Sequence, residues 1–194
     1  MSLHGVDAVV LGASAGGVEA LLQLLPALPA QAAVSVFVVL HLPPDRRSLL
    51  TQIFTPVCAL PVKEAEDKEP IAPGTIYLAP PDYHLLVDRG PQIVLSVDAP
   101  EQYSRPSIDT LFDTAADLYR ERLLGIVLSG NSDDGAAGLA AVARAGGRTV
   151  VQDPATARGA MMPAEALLRV PEARVLSLPQ IADLLRSIPP AGTP

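Results

Sequence analysis

The sequence has one cysteine, no tryptophan and only three histidines in 194 residues. Because Cys58 stands alone, no internal disulfide can form, which fits a reducing compartment. Cys58 lies in the apolar stretch FTPVCALPV with no histidine near it in sequence, so we expect a buried thiol and not a nucleophile. The scarcity of histidine restricts acid–base chemistry by imidazole to His4, His41 and His84.

Basic residues and long apolar runs are also scarce. Lys and Arg number 14 against 21 Asp and Glu, for a formal net charge of −7. Nucleic-acid binding depends on cations that neutralise phosphates, so we expect no nucleic-acid partner. No run approaches the ~20 apolar residues that cross a bilayer, and the start MSLHG resembles no charged leader. We therefore expect no membrane insertion and a cytoplasmic location.

The remaining composition is that of a globular domain. Hydrophobic residues make up 49% of the chain and charged residues 18%, which is enough apolar material for a substantial core. The length favours a single domain over 1–194, with its core over about 6–188.

Apolar runs alternate with helical patterns along most of the chain. The runs predict strands near 8–12, 34–41, 75–80, 84–88, 92–97, 123–130, 148–153 and 173–178. Such alternation predicts an α/β fold, a three-layer doubly wound domain with a mostly parallel sheet. The consecutive strands between 75 and 97 predict a short antiparallel excursion.

The segment VVLGASAGGVEALLQLL joins a strand to a helix through a turn of small residues. It fails the dinucleotide pattern G-x-G-x-x-G, because Ser14 stands at the middle glycine. It fails the P-loop pattern, because Val18 stands where lysine is needed. It does match G-x-S-x-G at Gly12, Ser14 and Gly16, which predicts an exposed nucleophilic serine. Such turns are common in strand-to-helix connections, so partners for the serine are needed.

Two further strand ends supply candidate partners. His41 ends the run VFVVLH, and Asp133 and Asp134 follow the run GIVL after a small-residue turn. Sites in open α/β sheets form at the carboxyl ends of the strands, where Ser14 also lies. Ser, His and Asp at three such ends predict a nucleophile, a base and an orienting carboxylate. The spacing leaves open which aspartate serves, and the other is explained as a helix cap.

Seven ordered motifs resemble the catalytic domain of the chemotaxis protein-glutamate methylesterase family, CheB. They cover residues 6–185 and read GASAGG, VVLHLPPD, IYLAPPDYHLLV, SRPSIDTLF, VLSGNSDDGAAGL, GGRTVVQDP and MMPAEAL. The resemblance implies Ser14 as nucleophile, His41 as base and Asp134 as orienting carboxylate. It assigns no role to Asp133, which falls on a variable position of the family's motif.

The chain departs from the family pattern at four positions near this triad. Asn131 stands where methionine is frequent, Ser132 where glycine is frequent, Ala15 where threonine is common and Leu40 where glutamine is common. The resemblance places Ala15 and Asn131 at the oxyanion hole and substrate-binding site, where backbone amides can still serve.

Two other polar residues are interpreted as structural. Ser107, within SRPSIDTLF, is predicted to be a helix N-cap and is left outside the catalytic set. His84 is likewise expected to have a structural role.

The resemblance implies a serine hydrolase that demethylates γ-glutamyl methyl esters on the cytoplasmic helical bundle of a methylated chemoreceptor. Methanol is released without a metal or cofactor, and some members also deamidate glutamine. The family usually carries an N-terminal receiver domain, whereas here the first strand is expected near residue 6. We therefore expect no receiver domain within these residues, and a receiver or sensory module would act in trans or in a longer parent.

Three alternatives compete with this interpretation. The first is an esterase or amidase with a different protein substrate. The second is a catalytically silent interaction module in a signalling system, although such a module would typically have lost one of the three triad residues. The third is nucleotide binding at the glycine-rich turn.

Overall fold

The structure is a computed structural model that describes residues 3–41 and 48–190. The strands are β1 (Ala8–Ala13), β2 (Ser35–Leu40), β3 (Val62–Glu64), β4 (Ile76–Leu78), β5 (His84–Asp88), β6 (Gln92–Ser96), β7 (Leu123–Val127), β8 (Arg148–Gln152) and β9 (Arg174–Leu176). Within the described residues, seven strands form one sheet in the order β3-β4-β2-β1-β7-β8-β9, and every neighbouring pair is parallel. The remaining two, β5 and β6, form an antiparallel hairpin.

The helices are α1 (Gly17–Leu24), α2 (Leu50–Phe54), α3 (Ile108–Tyr119), α4 (Ala136–Arg144), α5 (Met161–Arg169) and α6 (Leu178–Arg186). Short 3-10 turns follow α1 and α3. Among the residues that the structure describes, no helix is long and apolar enough to cross a membrane.

The core lies on both faces of the sheet, because successive side chains of each central strand point to opposite sides. Val9 and Leu11 of β1 pack with α1, α2 and α6. Ala8 and Val10 pack with α3, α4, α5 and the β5–β6 hairpin. Every residue of β1 is buried, as in parallel strands covered on both faces. The predicted three-layer α/β fold with an antiparallel excursion is thereby confirmed.

Some element bounds differ from the expectation. The edge strand β3 was not predicted, because its sequence VKE offers a single apolar residue. Helix α4 begins at Ala136, after Gly135 in a left-handed conformation (φ 97°), and leaves both preceding aspartates in the loop. The sequence pattern predicts a helix over 46–54, of which the structure describes α2; residues 46–47 lie outside the described part of the chain.

The carboxyl ends of β1, β2 and β7 lie side by side at the carboxyl edge of the sheet. Ala13 pairs with Leu40 at the ends of β1 and β2, and Gly12 pairs with Val127 at the end of β7. The start of α3 approaches the same edge closely, because a Cβ on Gly12 would stand 2.3 Å from the Ile108 side chain. A glycine is therefore required at position 12 to admit this helix start.

Candidate active site

Ser14 and His41 leave the sheet side by side. They directly follow Ala13 and Leu40, which are paired in the parallel register of β1 and β2. The backbone N–H of His41 donates to the Ala13 carbonyl at 3.0 Å, and that of Ser14 donates to the Ser129 carbonyl at 2.9 Å. Ser14 is thus held between the strand that carries His41 and the loop that follows β7.

His41 bonds to the carboxylate that the resemblance selects. Its Nε2 lies 2.8 Å from Oδ2 of Asp134, whose side chain is completely buried, while the His41 side chain is 13% exposed. This contact occupies Nε2 and leaves Nδ1 for a second partner. No hydrogen bond joins the hydroxyl of Ser14 to His41, both described residues; such bonds are often long before substrate binds and tighten in the complex.

Asp134 is surrounded by four hydrogen-bond donors. Its Oδ1 accepts from the Ser107 hydroxyl at 3.0 Å and from the Asp109 N–H at 2.9 Å. Its Oδ2 accepts from the Ile108 N–H at 2.8 Å as well as from His41. The carboxylate therefore lies at the N-terminus of α3, where the free N–H groups and the helix dipole favour a negative charge.

These donors decide the charge of Asp134. Burial is the largest influence and by itself would raise its pKa. The hydrogen bonds from His41, Ile108 and Asp109 nevertheless hold the pKa of Asp134 below its ordinary value. Asp134 is therefore ionised at neutral pH, whereas Asp133 next to it is exposed and makes no comparable set of contacts.

Asp109 makes the reverse contact from α3 to α4. Its Oδ1 accepts from the N–H groups of Gly135 at 2.9 Å and Gly138 at 2.6 Å. Burial, with a contribution from the charge of Asp134, raises the pKa of Asp109 to about 6. Asp134 thus accepts from the start of α3, and Asp109 accepts from the start of α4. The two helix starts lie close together, since a Cβ on Gly138 would stand 3.0 Å from the Asp109 backbone.

Ser107 joins the site in a way that the sequence analysis missed. It is the predicted N-cap of α3, because its Oγ accepts from the Thr110 N–H at 3.3 Å, but the same hydroxyl also donates to Asp134. Its own N–H donates to Nδ1 of His84 at 3.2 Å. The available signal was that Ser107 lies within SRPSIDTLF, one of the motifs that carry the family resemblance.

The buried ring of His84 accepts the hydrogen bond from the backbone of Ser107. The ring is buried, and its Nε2 donates to the Ala99 carbonyl at 3.1 Å while its Nδ1 accepts from Ser107. One donor and one acceptor nitrogen describe a neutral imidazole with its proton on Nε2. This arrangement agrees with the structural role predicted for His84.

Of the expected oxyanion-hole positions, Ala15 directly follows Ser14, and Asn131 follows Gly130, where an added Cβ would stand 3.0 Å from Cβ of Ser14. The Ala15 carbonyl accepts from the Ser129 hydroxyl at 2.6 Å, which ties the serine turn to the loop after β7. Among the described residues, the backbone N–H groups of Ala15 and Asn131 donate to no protein acceptor. The Asn131 side chain packs against Gly159. The backbone N–H groups at these two positions are therefore available as donors.

A cleft with a volume of about 150 Å³ opens beside His41. It is lined by His41, Asp82, Pro100, Tyr103, Ser104, Arg105 and Pro106. Cys58 lies outside this lining and is half-buried, not fully buried as expected. This partial burial raises the pKa of the thiol to about 11, which keeps it protonated. Within 3–41 and 48–190, no group of His, Cys, Asp and Glu is arranged to hold a metal ion.

Comparisons with known proteins agree with this geometry. The family model described as CheB methylesterase matches residues 9–185. A Leptospira interrogans protein named "Putative protein-glutamate methylesterase/protein-glutamine glutaminase" is 42% identical over 178 residues, covering 92% of each chain. A Caulobacter vibrioides protein-glutamate methylesterase/protein-glutamine glutaminase is 40% identical over 94% of this chain and 54% of its own length.

A solved structure is also similar throughout. The crystal structure of the Thermotoga maritima CheB methylesterase catalytic domain superposes with a TM-score of 0.89 at 30% identity. The match covers 95% of this chain and 99% of that domain.

Proposed function

The chain belongs to the CheB methylesterase family, and we propose that it hydrolyses γ-glutamyl methyl esters of chemoreceptors, with Ser14 as the nucleophile, His41 as the base and Asp134 as the orienting carboxylate. The observation that carries this proposal is the 2.8 Å contact between His41 and Asp134 at the sheet edge where Ser14 emerges. The retained triad and the names of the relatives favour an enzyme over a silent interaction module.

Acylation begins when Oγ of Ser14 attacks the ester carbonyl carbon. His41 accepts the hydroxyl proton on Nδ1, the nitrogen that Asp134 leaves free. The ionised Asp134 holds the ring and stabilises the imidazolium that forms. The backbone N–H groups of Ala15 and Asn131 stabilise the oxyanion of the tetrahedral intermediate. When the intermediate collapses, His41 returns the proton to the methoxide, and methanol leaves.

Deacylation repeats these steps with water. His41 takes a proton from water as the water attacks the acyl carbon on Ser14, and then returns that proton to the departing serine oxygen. The product is glutamate and the free enzyme. The same residues act on a glutamine side chain, with ammonia as the leaving group, which matches the second activity in the relatives' names.

The partner in this reaction is a methylated chemoreceptor, and we place the substrate glutamates on its helical bundle. The Caulobacter relative is about twice as long as the matched region. A receiver or sensory module, acting in trans or within a longer chain, is the regulator proposed for this domain.

Methanol release from a methylated chemoreceptor cytoplasmic fragment tests the proposal. We expect Ser14→Ala to abolish release, whereas Ser96→Ala, a serine of β6 outside the site, retains it. Labelling with a serine-directed fluorophosphonate should follow the same pattern. If the wild type is labelled at Ser14 but releases no methanol, the enzyme has another substrate. If neither reaction occurs, the silent module is the correct description.

A further inference from the structure

The tyrosines of this chain divide into two classes. Tyr77 and Tyr119 are buried in the core, whereas Tyr83 is 41% exposed and Tyr103 is fully exposed. The exposed pair lies on two loops that border the cleft beside His41, since Tyr103 and Asp82, the neighbour of Tyr83, both line it. In a chain with only 4% aromatic residues, half of the tyrosines are thus placed at the rim of the candidate active site.

The backbone holds Tyr103 at the tip of a tight turn. Glu101 and Ser104 exchange two backbone hydrogen bonds, at 3.1 and 2.8 Å. Between them, Gln102 and Tyr103 both have positive φ angles, 47° and 66°. Two successive positive φ angles between residues that exchange backbone bonds are those of a type I′ turn, which places Tyr103 at the tip of the loop.

Arg105, which follows this turn, anchors the adjoining backbone to neighbouring segments. Its guanidinium donates twice to Oδ1 of Asp82, at 3.0 and 2.6 Å, which joins the two rim loops. It also donates to the carbonyls of Val97 and Asp98 at 2.9 and 3.0 Å. The side chain of Arg105 is only 20% exposed. Arg105 therefore joins the segment after the Tyr103 turn to the loop of Asp82 and to residues 97–98.

We propose that Tyr103 is a docking residue for the polypeptide substrate, which contacts the receptor surface beside the methylated glutamate. The inference rests on the proposed function and adds a specificity determinant outside the triad. A γ-methyl ester group is small and is consumed at Ser14, so a ring at the outer rim meets what surrounds the ester. Because Tyr103 and His41 line the same cleft, the receptor surface that meets Tyr103 adjoins the methylated glutamate side chain that reacts.

The chemistry of tyrosine suits this contact. An aromatic ring buries a large area with little loss of conformational freedom, and tyrosine is enriched where binding energy is concentrated in protein interfaces. Since two backbone bonds close the turn and Arg105 ties the adjoining segment to Asp82, little backbone ordering is needed when the substrate docks. The expected partner is the surface of a receptor helix, and the expected consequence is a lower KM for the protein substrate.

Two substrates separate docking from chemistry. One is a methylated chemoreceptor cytoplasmic fragment, and the other is the γ-methyl ester of a blocked glutamate, which has no flanking polypeptide. We expect Tyr103→Ala to raise KM for the receptor fragment about tenfold and to leave kcat/KM for the small ester within about twofold. Tyr103→Phe keeps the ring and should restore most of the affinity. Val175→Ala, an exposed apolar residue on the distant edge strand β9, should change neither substrate.

The outcomes distinguish this inference from the proposed function. Equal loss on both substrates would place Tyr103 in the catalytic machinery and overturn the docking role. No loss on either substrate would show that the receptor does not contact Tyr103. A wild-type enzyme that hydrolyses the small ester but not the receptor fragment would refute the proposed receptor substrate, and the docking inference with it.

Discussion

Asp134 and Asp109 lie at two neighbouring helix starts, yet they are ionised to different degrees. Each carboxylate accepts backbone N–H groups from the other's helix. The pKa of Asp134 is held below its ordinary value, whereas the pKa of Asp109 rises to about 6. Burial acts in the same direction on both, so burial does not explain the difference.

The number and placement of donors explain it. Asp134 receives four hydrogen bonds divided between its two oxygens, one of them from His41. Asp109 receives two, both at Oδ1, and faces the charge of Asp134. Hydrogen bonds to both oxygens thus outweigh the effect of burial on the pKa of Asp134, whereas two bonds to one oxygen do not outweigh it for Asp109. Asp134, the carboxylate with more donors, is the one that holds the candidate base His41.

Among substitutions at these two helix starts, Asp134→Asn should have the largest effect on activity. No orientation of an amide keeps acceptors toward Ile108 and Asp109 at once, and its NH₂ group disturbs the proton on His41. We expect kcat for ester hydrolysis to fall by about 10²- to 10⁴-fold. Initial rates of methanol release measure the change.

The matched control for that variant is Asp133→Asn. Asp133 is exposed and adjacent in sequence, so its loss should leave kcat within about twofold. Comparable losses in the two variants would show that Asp134 has no special role in the site.

Ser107→Ala removes one of the four donors to Asp134. The hydroxyl also caps α3, so we expect a loss of about 1 kcal/mol in the free energy of unfolding. We further expect kcat to fall about tenfold, because Oδ1 of Asp134 loses a partner.

Ser177→Ala separates the two roles of Ser107. The hydroxyl of Ser177 belongs to the capping box of α6 and donates to Oε1 of Gln180 at 3.1 Å, far along the chain from the triad. Its loss should cost similar stability, measured by urea denaturation, with kcat unchanged. If both variants lost stability and neither lost activity, Ser107 would be a helix cap and nothing more.

The sequence predicted which residues come together at this sheet edge, but not all of their contacts. Ser14 and His41 were proposed as nucleophile and base because each follows a recognisable strand. The choice between Asp133 and Asp134 was left open by spacing, since both precede the same helix, and the family resemblance selected Asp134. Ser107 was interpreted as a cap alone, because its contact with Asp134 spans 27 residues and depends on how closely α3 approaches the sheet edge.

Asp109→Asn should alter the pH dependence of stability. The pKa of Asp109 is about 6 in the folded state against about 3.9 for an unperturbed aspartate, so the folded protein binds more protons between those values. The free energy of unfolding therefore falls as pH rises through that window. Asparagine keeps the Oδ1 acceptor for Gly135 and Gly138 without the charge. After allowance for partial solvent exposure, we expect the variant to be more stable at pH 7.5 by on the order of 1 kcal/mol.

Thermal unfolding at several pH values measures this gain. The advantage of Asp109→Asn should shrink toward zero near pH 4, where both proteins are uncharged at this position. Asp113→Asn, on the exposed face of the same helix, should show no such trend. A gap that stayed constant with pH would mean that the charge of Asp109 is not what costs stability.

Thr110→Val should have the smallest effect on stability and activity. It tests whether a polar group of α3 other than the two carboxylates influences the site. The buried hydroxyl of Thr110 has no hydrogen-bond partner among the described residues, so a methyl group there removes an unsatisfied polar atom. We expect the free energy of unfolding to rise by about 0.5 kcal/mol, with kcat unchanged.

Thr114→Val is the matched control, because that hydroxyl accepts from the Val87 N–H, and its loss should destabilise the protein by about 1 kcal/mol. Equal effects of the two substitutions in urea denaturation would show that satisfaction of the hydroxyl does not matter on α3. A change in kcat with Thr110→Val would instead connect this hydroxyl to Asp134 through the first turn of the helix.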